Sequence, residues 1–246
     1  MAVTFLKKGI ESAKAVEQAD TEQALRKQQN NTTWRFYLNK GEERSITFVD
    51  GDLTPEGLLD IVTFREHTVF MNGNWNNHFV CTQDVEPCPL CEGKDIPSLV
   101  GLLTVLDHTP SKSKDGVKTF VDQKRLFVAK KDTIKLLQGY AVKRKGLAGA
   151  TFDVARVGEK SAAVGTSFDF TSKSPLPELR AKFTQEEIQE DGKTKKVVTK
   201  FTPVNYEEEI IYRTAKELNA LGFGTFSIGG ESAPMDTGSV DYSKEL

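Results

Sequence analysis

The sequence predicts a mainly β protein with α additions (α+β class), and three observations carry that prediction. Short segments in which apolar and polar residues alternate recur between residues 34 and 173, as is typical of half-buried strands. The run SLVGLLTVLD is almost continuously apolar and favours a strand buried on both faces. One helical segment, KDTIKLLQGYAVKRKG, lies between two late strands. About seven short strands with a helix in this place predict a partly open, OB-fold-like β-barrel.

The first 30 residues are predicted to form an N-terminal helical segment. Phe5, Ile10, Ala13 and Val16 recur at loosely helical spacing among Ala, Glu, Gln and Lys residues. This spacing indicates one or two amphipathic helices with a thin apolar stripe, held weakly or made for a partner.

Residues 31–175 are predicted to form the core domain. Lys40 and Gly41 separate two alternating runs and predict a first hairpin, and Asn72 and Gly73 do the same for a second. The central apolar strand, a strand before the helix and two strands after it complete the predicted sheet.

Beyond the core domain the composition changes. Residues 176–221 contain the helical segments LPELRAKF and YEEEIIYRTAKELNALG and a strand, TKKVVTKFTPV, which together predict an α/β appendage. Residues 222–246 are rich in Gly, Ser and Asp, and we expect a disordered, acidic C-terminal tail there.

All three cysteines lie close together in the sequence, as Cys81, Cys88 and Cys91. An odd number of thiols in a chain without a secretion signal argues against a disulfide framework and for reduced thiols. The C-x2-C pair lets two sulfurs converge on one ion, and three thiolates with one imidazole suit a closed tetrahedral zinc site. The sequence therefore predicts an inserted zinc subdomain at about residues 61–97 that holds one structural Zn²⁺.

A histidine must supply the fourth ligand, and the register of the second hairpin decides between His67 and His78. A three-residue loop at 72–74 would set residue 67 opposite residue 79 and put His67 on the same face as Cys81. A two-residue turn would set His67 opposite His78 and send Cys81 to the other face. We favour His67, in the pattern H-x13-C-x6-C-x2-C, with His78 as the alternative.

The same thiols could serve redox or catalytic chemistry instead. A redox dithiol usually follows a thioredoxin-like βαβ pattern, which this sequence lacks. Catalytic zinc keeps a water beside a general base, as in the H-x-E and P-C-x2-C pattern of deaminases, but His67 is followed by TVF. The acidic residues near the cysteines are expected to be solvated loop charges: Asp84, Glu86, Glu92 and Asp95. We therefore predict a structural metal site and no enzymatic activity.

The charge distribution is uneven, although the formal net charge is only −2. Residues 117–160 carry 11 Lys or Arg against 4 Asp or Glu, so the middle of the chain is basic between acidic ends. Aromatic and basic residues interleave on the predicted strands, as single-stranded nucleic acid requires for base stacking and phosphate contacts. The candidate stacking residues are Trp34, Tyr37 and Trp75, and the candidate phosphate-binding residues are Arg35, Arg44, Arg65, Lys124, Arg125, Lys130 and Lys131.

Two other interpretations stay open. Aromatic residues at strand spacing can belong to the core, with the lysines forming a solvated face. The cysteine knuckle could also belong to a zinc-ribbon transcription or protein-interaction module that docks a polymerase. Such a module would show no salt-dependent binding to oligonucleotides.

Over residues 30–172 the chain resembles bacteriophage single-stranded DNA-binding proteins of the helix-destabilising type. The similarity lies in the segments WRFYLNKGEERSITFVDGD, REHTVFMNGNWNNHFVCTQDVEPCPLCEGKD and LTVLDHT. The resemblance implies an OB fold with an inserted zinc subdomain, and by position it maps the ligands onto His67, Cys81, Cys88 and Cys91. It also implies sequence-nonspecific coating and protection of single-stranded DNA during replication, recombination and repair.

The same resemblance implies partners besides DNA. It suggests self-association along DNA through the N-terminal segment, and contacts with replication or recombination proteins through the acidic tail. No apolar run approaches the length of a membrane span, and the N-terminus lacks the apolar core of a secretion signal. We therefore expect a cytoplasmic protein, located in the host bacterial cytoplasm if a phage encodes it.

Overall fold

The computed structural model describes residues 8–16, 19–20, 33–71, 73–112, 116–188 and 195–224. In the N-terminal segment, residues 10–16 are helical, and Ile10 and Val16 of the predicted apolar stripe are exposed. Phe5 lies outside the described residues, as do most of the predicted tail and its expected disorder.

The described residues form eleven strands and, besides the helical residues 10–16, five helices. The strands are β1 (Glu43–Phe48), β2 (Val62–Met71), β3 (Asn74–Val80), β4 (Ser98–Asp107), β5 (Ser111–Lys112), β6 (Thr119–Phe120), β7 (Gln123–Lys130), β8 (Ala150–Ala155), β9 (Ser167–Lys173), β10 (Thr184–Ile188) and β11 (Lys195–Thr199). The helices are α1 (Pro89–Glu92), α2 (Lys131–Arg144), α3 (Leu176–Lys182), α4 (Tyr206–Glu209) and α5 (Ala215–Ala220).

One antiparallel sheet dominates, in the order β3-β2-β4-β1-β8-β9, with β7 on the other edge of β4. Strand β4 is its centre and is buried from Val100 to Asp107, as the apolar run predicted. The predicted mixed architecture, mainly antiparallel sheet with a few helices, is confirmed. Among the described strands the sheet does not close into a barrel, because β7 and β9 are not hydrogen-bonded to each other.

The main core lies between α2 and one face of the sheet, which we call the inner face. Phe48 packs edge to face on Phe127 and on Phe152, with ring centroids 5.4 and 5.7 Å apart. Gly101 of β4 lets α2 approach closely, because a Cβ there would lie 2.6 Å from Ile61 Cδ1 and 3.0 Å from Ile134 Cδ1. This packing holds β4 in place, and with it the strands that carry the candidate site.

The first predicted hairpin is wrong. The chain turns at Lys40 and Gly41, but the residues before the turn do not pair with β1. Arg35 instead forms a parallel bridge with Leu126 of β7, while β1 pairs with β4 and β8. Alternation in sequence records which face of a strand is buried, and it does not record the identity of the partner strand.

The predicted appendage packs on the outer face of β4, opposite α2. Leu106 of β4 shares a small core there with Phe183 and Phe201, which lie at the ends of α3 and β11. The side chains of Phe183 and Phe201 stack, with ring centroids 6.1 Å apart. This part of the chain thereby covers one end of the sheet.

The segment YEEEIIYRTAKELNALG, predicted as one helix, is two short helices, α4 and α5. The backbone is extended at Ile210, where α4 ends, and Thr214 begins α5 with a capping box that includes Glu217. The capping side chains of Thr214 and Glu217 start a new helix at this point. Helical periodicity does not detect such a cap, so it predicted a longer helix than the structure contains. Among the described residues, no helix combines the length and the apolar composition of a bilayer-spanning segment.

Candidate metal centre and nucleic-acid surface

The β2–β3 hairpin positions the first two candidate ligands. His67 pairs with Phe79, so the predicted opposition of residues 67 and 79 is confirmed. The backbone N–H of Cys81 continues the ladder by donating to the carbonyl oxygen of Arg65 at 2.8 Å. Cys81 therefore lies on the same face of the hairpin as His67, one diagonal step away.

The predicted three-residue loop is not the cause of this register. Met71 already pairs with Asn74, which is the two-residue connection. Val69 pairs with Asn77, so between these two pairs β3 holds one residue more than β2. A β-bulge in β3 thus shifts the register by one residue and returns His67 to the correct face.

The other two ligands lie in a tight turn after β3. Cys88 is the N-cap of α1, a single turn that begins with Pro89 and contains Cys91. The loop before it is also tight, because the N–H groups of Val85 and Glu86 both donate to the Thr82 carbonyl oxygen at 2.8 Å. This local geometry turns both sulfurs of the C-x2-C pair toward the hairpin.

Lys94 reverses the chain after α1. Its φ is 66°, in the left-handed region, and its N–H donates to the Cys91 carbonyl oxygen at 2.9 Å. The N–H of Asp95 donates to the Leu90 carbonyl oxygen at 3.0 Å, which completes a Schellman-type end. The reversal brings the Asp95 carboxylate against His67.

The four predicted ligands converge. The ligand atoms of His67, Cys81, Cys88 and Cys91 all lie within 4.8 Å of one another. His67 Nε2 is 3.5 Å from Sγ of Cys88 and of Cys91, and the Sγ atoms of Cys81 and Cys91 are 3.5 Å apart. Zinc–ligand bonds of about 2.0 and 2.3 Å in a tetrahedron give N–S separations of about 3.5 Å and S–S separations of about 3.8 Å. The donor set and its spacing therefore fit one zinc ion.

Hydrogen bonds hold two ligands in their metal-binding forms. Asp95 Oδ2 lies 2.6 Å from His67 Nδ1, and a proton held there leaves Nε2 free to face the thiols. Burial raises the pKa of the Cys88 thiol, but hydrogen bonds from the backbone of Cys91 and Thr82 outweigh it and lower that pKa to about 6. The thiolate is the form that binds a metal.

Two of the acidic residues expected to be solvated have specific partners instead. Asp95 is the residue that orients His67. Glu86 accepts hydrogen bonds from the N–H of Ala215 and from the Tyr212 hydroxyl. Sequence reasoning missed both because their partners lie 28 and about 130 residues away in the chain.

His78, the alternative ligand, is turned away from the cluster. It pairs with Thr68, so its side chain lies on the other face of the hairpin from His67. Its Nδ1 is 3.3 Å from Oε1 of Glu66, a buried carboxylate that also forms a two-bond ion pair with Arg35. Burial raises the pKa of Glu66, but Arg35 and His78 outweigh it and lower that pKa to about 2.

Comparison of the chain with known family models, curated proteins and solved structures finds no match. The likeness to phage single-stranded DNA-binding proteins therefore stays a prediction from the motifs. Function has to be inferred from the chemistry of the metal cluster and of the surfaces around it.

Two exposed aromatic side chains before β1 each have an arginine over the ring, and we call Trp34, Tyr37, Arg125 and Arg156 the rim cluster. Trp34 is 69% exposed and Tyr37 is 52% exposed. The guanidinium of Arg125 lies 5.5 Å from the Trp34 ring centroid, and that of Arg156 lies 5.5 Å from the Tyr37 ring centroid. Each exposed ring thus has a cation beside it. Arg156 was not among the predicted residues, and its place in the basic stretch was the only signal for it.

The predicted phosphate-binding residues differ in whether an acidic side chain of the protein already pairs with their charge. Arg44 is paired with Asp107, with 2.8 Å between Nη1 and Oδ2, and Arg35 is paired with Glu66, so both charges are compensated. Lys124 donates to the Thr202 hydroxyl at 3.0 Å. The exposed members are Arg65, Lys130 and Lys131.

Strand register also divides the predicted cations between two faces. Arg65 pairs with Leu99, whereas Lys130 pairs with Val100, and neighbouring residues of β4 point to opposite faces. Arg125 pairs with Val105 and so shares the face of Arg65. The predicted cations therefore do not form one continuous surface, and the rim cluster is the part that combines exposed rings with charge.

A second aromatic surface lies near the tip of the β2–β3 hairpin. Trp75 is 62% exposed and Phe70 is 55% exposed, with ring centroids 5.3 Å apart. Phe70 was not predicted as a binding residue. It is exposed because β4 pairs with β2 only as far as Glu66, so the tip extends beyond the sheet.

One polar network has the order of a hydrolase triad. His108 Nε2 lies 2.7 Å from Thr47 Oγ1, and His108 Nδ1 lies 2.6 Å from Asp122 Oδ1. The Thr47 hydroxyl is buried and is also bonded to Thr151 Oγ1 at 2.7 Å. A substrate carbonyl cannot reach a nucleophile in that position, so we assign the network a structural role.

Proposed function

We propose that this protein binds single-stranded DNA without sequence preference, and that it coats and protects the strand during phage replication, recombination or repair. Bases stack on the exposed aromatic side chains, and the neighbouring cations contact phosphates. A coating protein needs no turnover, so we propose a cytoplasmic binding protein and no enzymatic activity.

The strand connectivity supports an OB-type core. With the inserted β2–β3 hairpin, the turn that contains α1 and the two-residue strands β5 and β6 set aside, the chain order is β1, β4, β7, α2, β8 and β9. Strand β1 pairs with both β4 and β8, β4 pairs with β7, and β8 pairs with β9. A five-stranded, partly open Greek-key barrel has this pairing. The segment around Arg35 covers the free edge of β7, where the N–H of Phe36 donates to the Leu126 carbonyl oxygen at 2.8 Å.

Trp34 is the single observation that carries the nucleic-acid proposal. Large aromatic side chains are mostly buried in globular proteins, yet Trp34 is 69% exposed, and the Arg125 guanidinium lies 5.5 Å from its ring centroid. Stacking of one base on such a ring contributes about 1–3 kcal/mol. The guanidinium over this ring is placed to contact the phosphate of the stacked nucleotide.

We also propose that His67, Cys81, Cys88 and Cys91 hold one zinc ion. Four protein ligands fill a tetrahedral site, which is typical of structural zinc. When bound, the ion supplies a cross-link between the hairpin and the turn that contains α1, and its binding free energy becomes folding free energy.

The test is a titration of labelled single strand and duplex of equal length at several salt concentrations. The single strand should bind more tightly, and the logarithm of its affinity should fall linearly with the logarithm of salt concentration. Trp34→Ala should weaken binding by about 5- to 160-fold, the equivalent of one lost stacking contact. Val85→Ala, at a position 79% exposed on the metal-binding turn, is the matched control. Equal affinity for both DNA forms, or equal effects of the two variants, would contradict the proposal.

The alternative is a protein-interaction module that docks a polymerase through the metal-binding turn. Val85 and Ile96 favour it, because these apolar side chains near the metal ligands are 79% and 86% exposed. Such a module would bind no oligonucleotide in the titration above. Val85→Ala would then weaken the protein contact while Trp34→Ala would leave it unchanged.

A further inference from the structure

We infer that the metal site anchors the C-terminal strap of this chain, so that metal binding and attachment of the strap are one coupled event. The strap is the segment 199–224, and we call residues 81–95 the knuckle. The inference rests on the metal-binding part of the proposed function and is independent of nucleic-acid binding.

The strap and the knuckle share one apolar core. Leu218 of the strap is fully buried there. The other buried members are Phe79, Cys81, Cys88 and Leu90, and Leu221 and Phe223 of the strap pack against them. The rings of Phe79 and Phe223 lie 5.4 Å apart. Two metal ligands are therefore part of the surface on which the strap docks.

Polar contacts join the same two segments. Glu86, two residues before Cys88, accepts hydrogen bonds from the N–H of Ala215 at 2.8 Å and from the Tyr212 hydroxyl at 2.9 Å. At its end the strap runs against the residue that follows Cys88, since a Cβ at Gly224 would lie 2.7 Å from Pro89 Cβ. The strap thus contacts the knuckle on both sides of a ligand.

The other end of the strap is held by the sheet and not by the knuckle. The Tyr206 hydroxyl lies 2.9 Å from Thr104 Oγ1 and also donates to Asp50. The N–H of Val204 donates to Thr104 Oγ1 at 3.1 Å. Loss of the metal should therefore release residues 211–224 and leave residues 199–209 attached.

Metal binding and strap attachment are coupled because the helices of the knuckle and the strap are too short to be stable alone. Helix α1 has four residues and α5 has six, and helices of this length are not stable on their own. Without an ion, three thiols and an imidazole have no covalent or ionic link to hold the knuckle in shape, and Leu218 loses its pocket. The coupling is reciprocal, so a weakened strap contact must also weaken metal binding.

Hydrogen exchange on the full-length chain without DNA tests the first half of the inference. Metal-loaded protein is compared with protein treated with a strong chelator, after zinc content has been measured. Exchange in residues 211–224 should become about tenfold faster or more without metal, a typical coupling between sites. Residues 199–209 and α2 should be unchanged. Trypsin should cut after Arg213, which is buried, only in the metal-free protein.

A substitution in the strap tests the second half. Leu218→Ala should lower metal affinity by about tenfold in competition with a chromophoric chelator. Leu136→Ala on α2 is the control, because Leu136 is 38% exposed and its helix packs on β4 and β7. Absence of bound zinc overturns both this inference and the zinc proposal. Bound zinc with unchanged exchange, or equal affinities of the two variants, overturns the inference alone.

Discussion

At the scale of single residues, Asp95 decides how the histidine can act. The His67 side chain is fully buried, and its Nδ1 lies 2.6 Å from the Asp95 carboxylate. That contact keeps Nε2 directed at the sulfurs of Cys88 and Cys91. Outer carboxylates of this kind orient metal ligands and raise their basicity.

Asp95→Asn should therefore weaken metal binding. An amide in place of the carboxylate no longer favours the same proton position on His67, and loss of such a partner typically lowers metal affinity by about 10- to 100-fold. Competition with a chromophoric chelator measures the change. Asp84→Asn, in the same loop and exposed, is the control, and equal affinities for the two variants would argue against the orienting role.

Asp50 predicts a pH dependence of stability. Burial raises its pKa to about 6, although hydrogen bonds from Tyr206 and from the Thr104 N–H oppose the rise. The folded chain then holds a proton that the unfolded chain loses above a pKa of about 3.9, so the stability increases as the pH falls through about 6. Between pH 7 and 5 the wild type should gain about 1 kcal/mol relative to Asp50→Asn.

Urea unfolding at several pH values measures this difference. Asp60→Asn, at an exposed position, should keep the pH dependence of the wild type. An Asp50→Asn profile parallel to that of the wild type would show that this carboxyl does not titrate in the window.

At the scale of elements, the C-terminal end of helix α2 is stabilised by a residue of strand β9. Lys173 at the end of β9 donates through Nζ to the carbonyl oxygens of Arg144, Lys145 and Gly146 at 2.8–2.9 Å. These carbonyls have no partner within the helix, and a cation at this end also complements the helix dipole. The contact ties β9 to the helix that packs on the inner face.

Lys173→Met should lower the free energy of unfolding by about 0.5–1 kcal/mol, because it removes a charged donor from the C-terminal end of the helix. Lys131→Met, at the start of the same helix, should have little effect or be slightly stabilising, since a positive charge is unfavourable there. Chemical denaturation followed by circular dichroism checks both. If the Lys173→Met protein is as stable as the wild type, the contact of Lys173 with the helix end does not stabilise the fold.

At the scale of the whole molecule, the distribution of charge along the chain determines which surfaces attract anions, and the small net charge does not reveal it. The basic stretch 117–160 contributes Arg125 and Arg156 to the rim cluster, whereas the C-terminal segment 176–246 carries 13 Asp or Glu against 9 Lys or Arg. Opposite charges on one chain attract at low ionic strength. If the proposed DNA binding holds, the acidic end would compete with the phosphates for the basic surface.

Deletion of residues 231–246, which lie outside the described part of the chain, should tighten binding of single-stranded DNA at low salt. The gain should shrink as salt screens the competing charges. Titration of the full-length and truncated chains at two salt concentrations measures it, and equal affinity at low salt would rule out competition by the tail.

The local features of this protein can be predicted from its sequence alone. Helix α2, the buried strand β4 and the four residues of the metal cluster follow from periodicity and from ligand spacing, both of which act over short distances along the chain. Even here one step was right for the wrong reason, since a β-bulge and not a longer loop places His67 opposite Phe79.

The contacts between groups far apart in the chain could not be predicted in this way, and they follow from the complete fold. It paired Arg35 with Leu126 of β7 and brought Asp95 to His67 and Glu86 to Ala215. It also divided the predicted cations between two faces of the sheet. The physical reason is that strand partners and loop paths depend on how the whole apolar surface is buried, and a local pattern states which face is buried without stating what buries it.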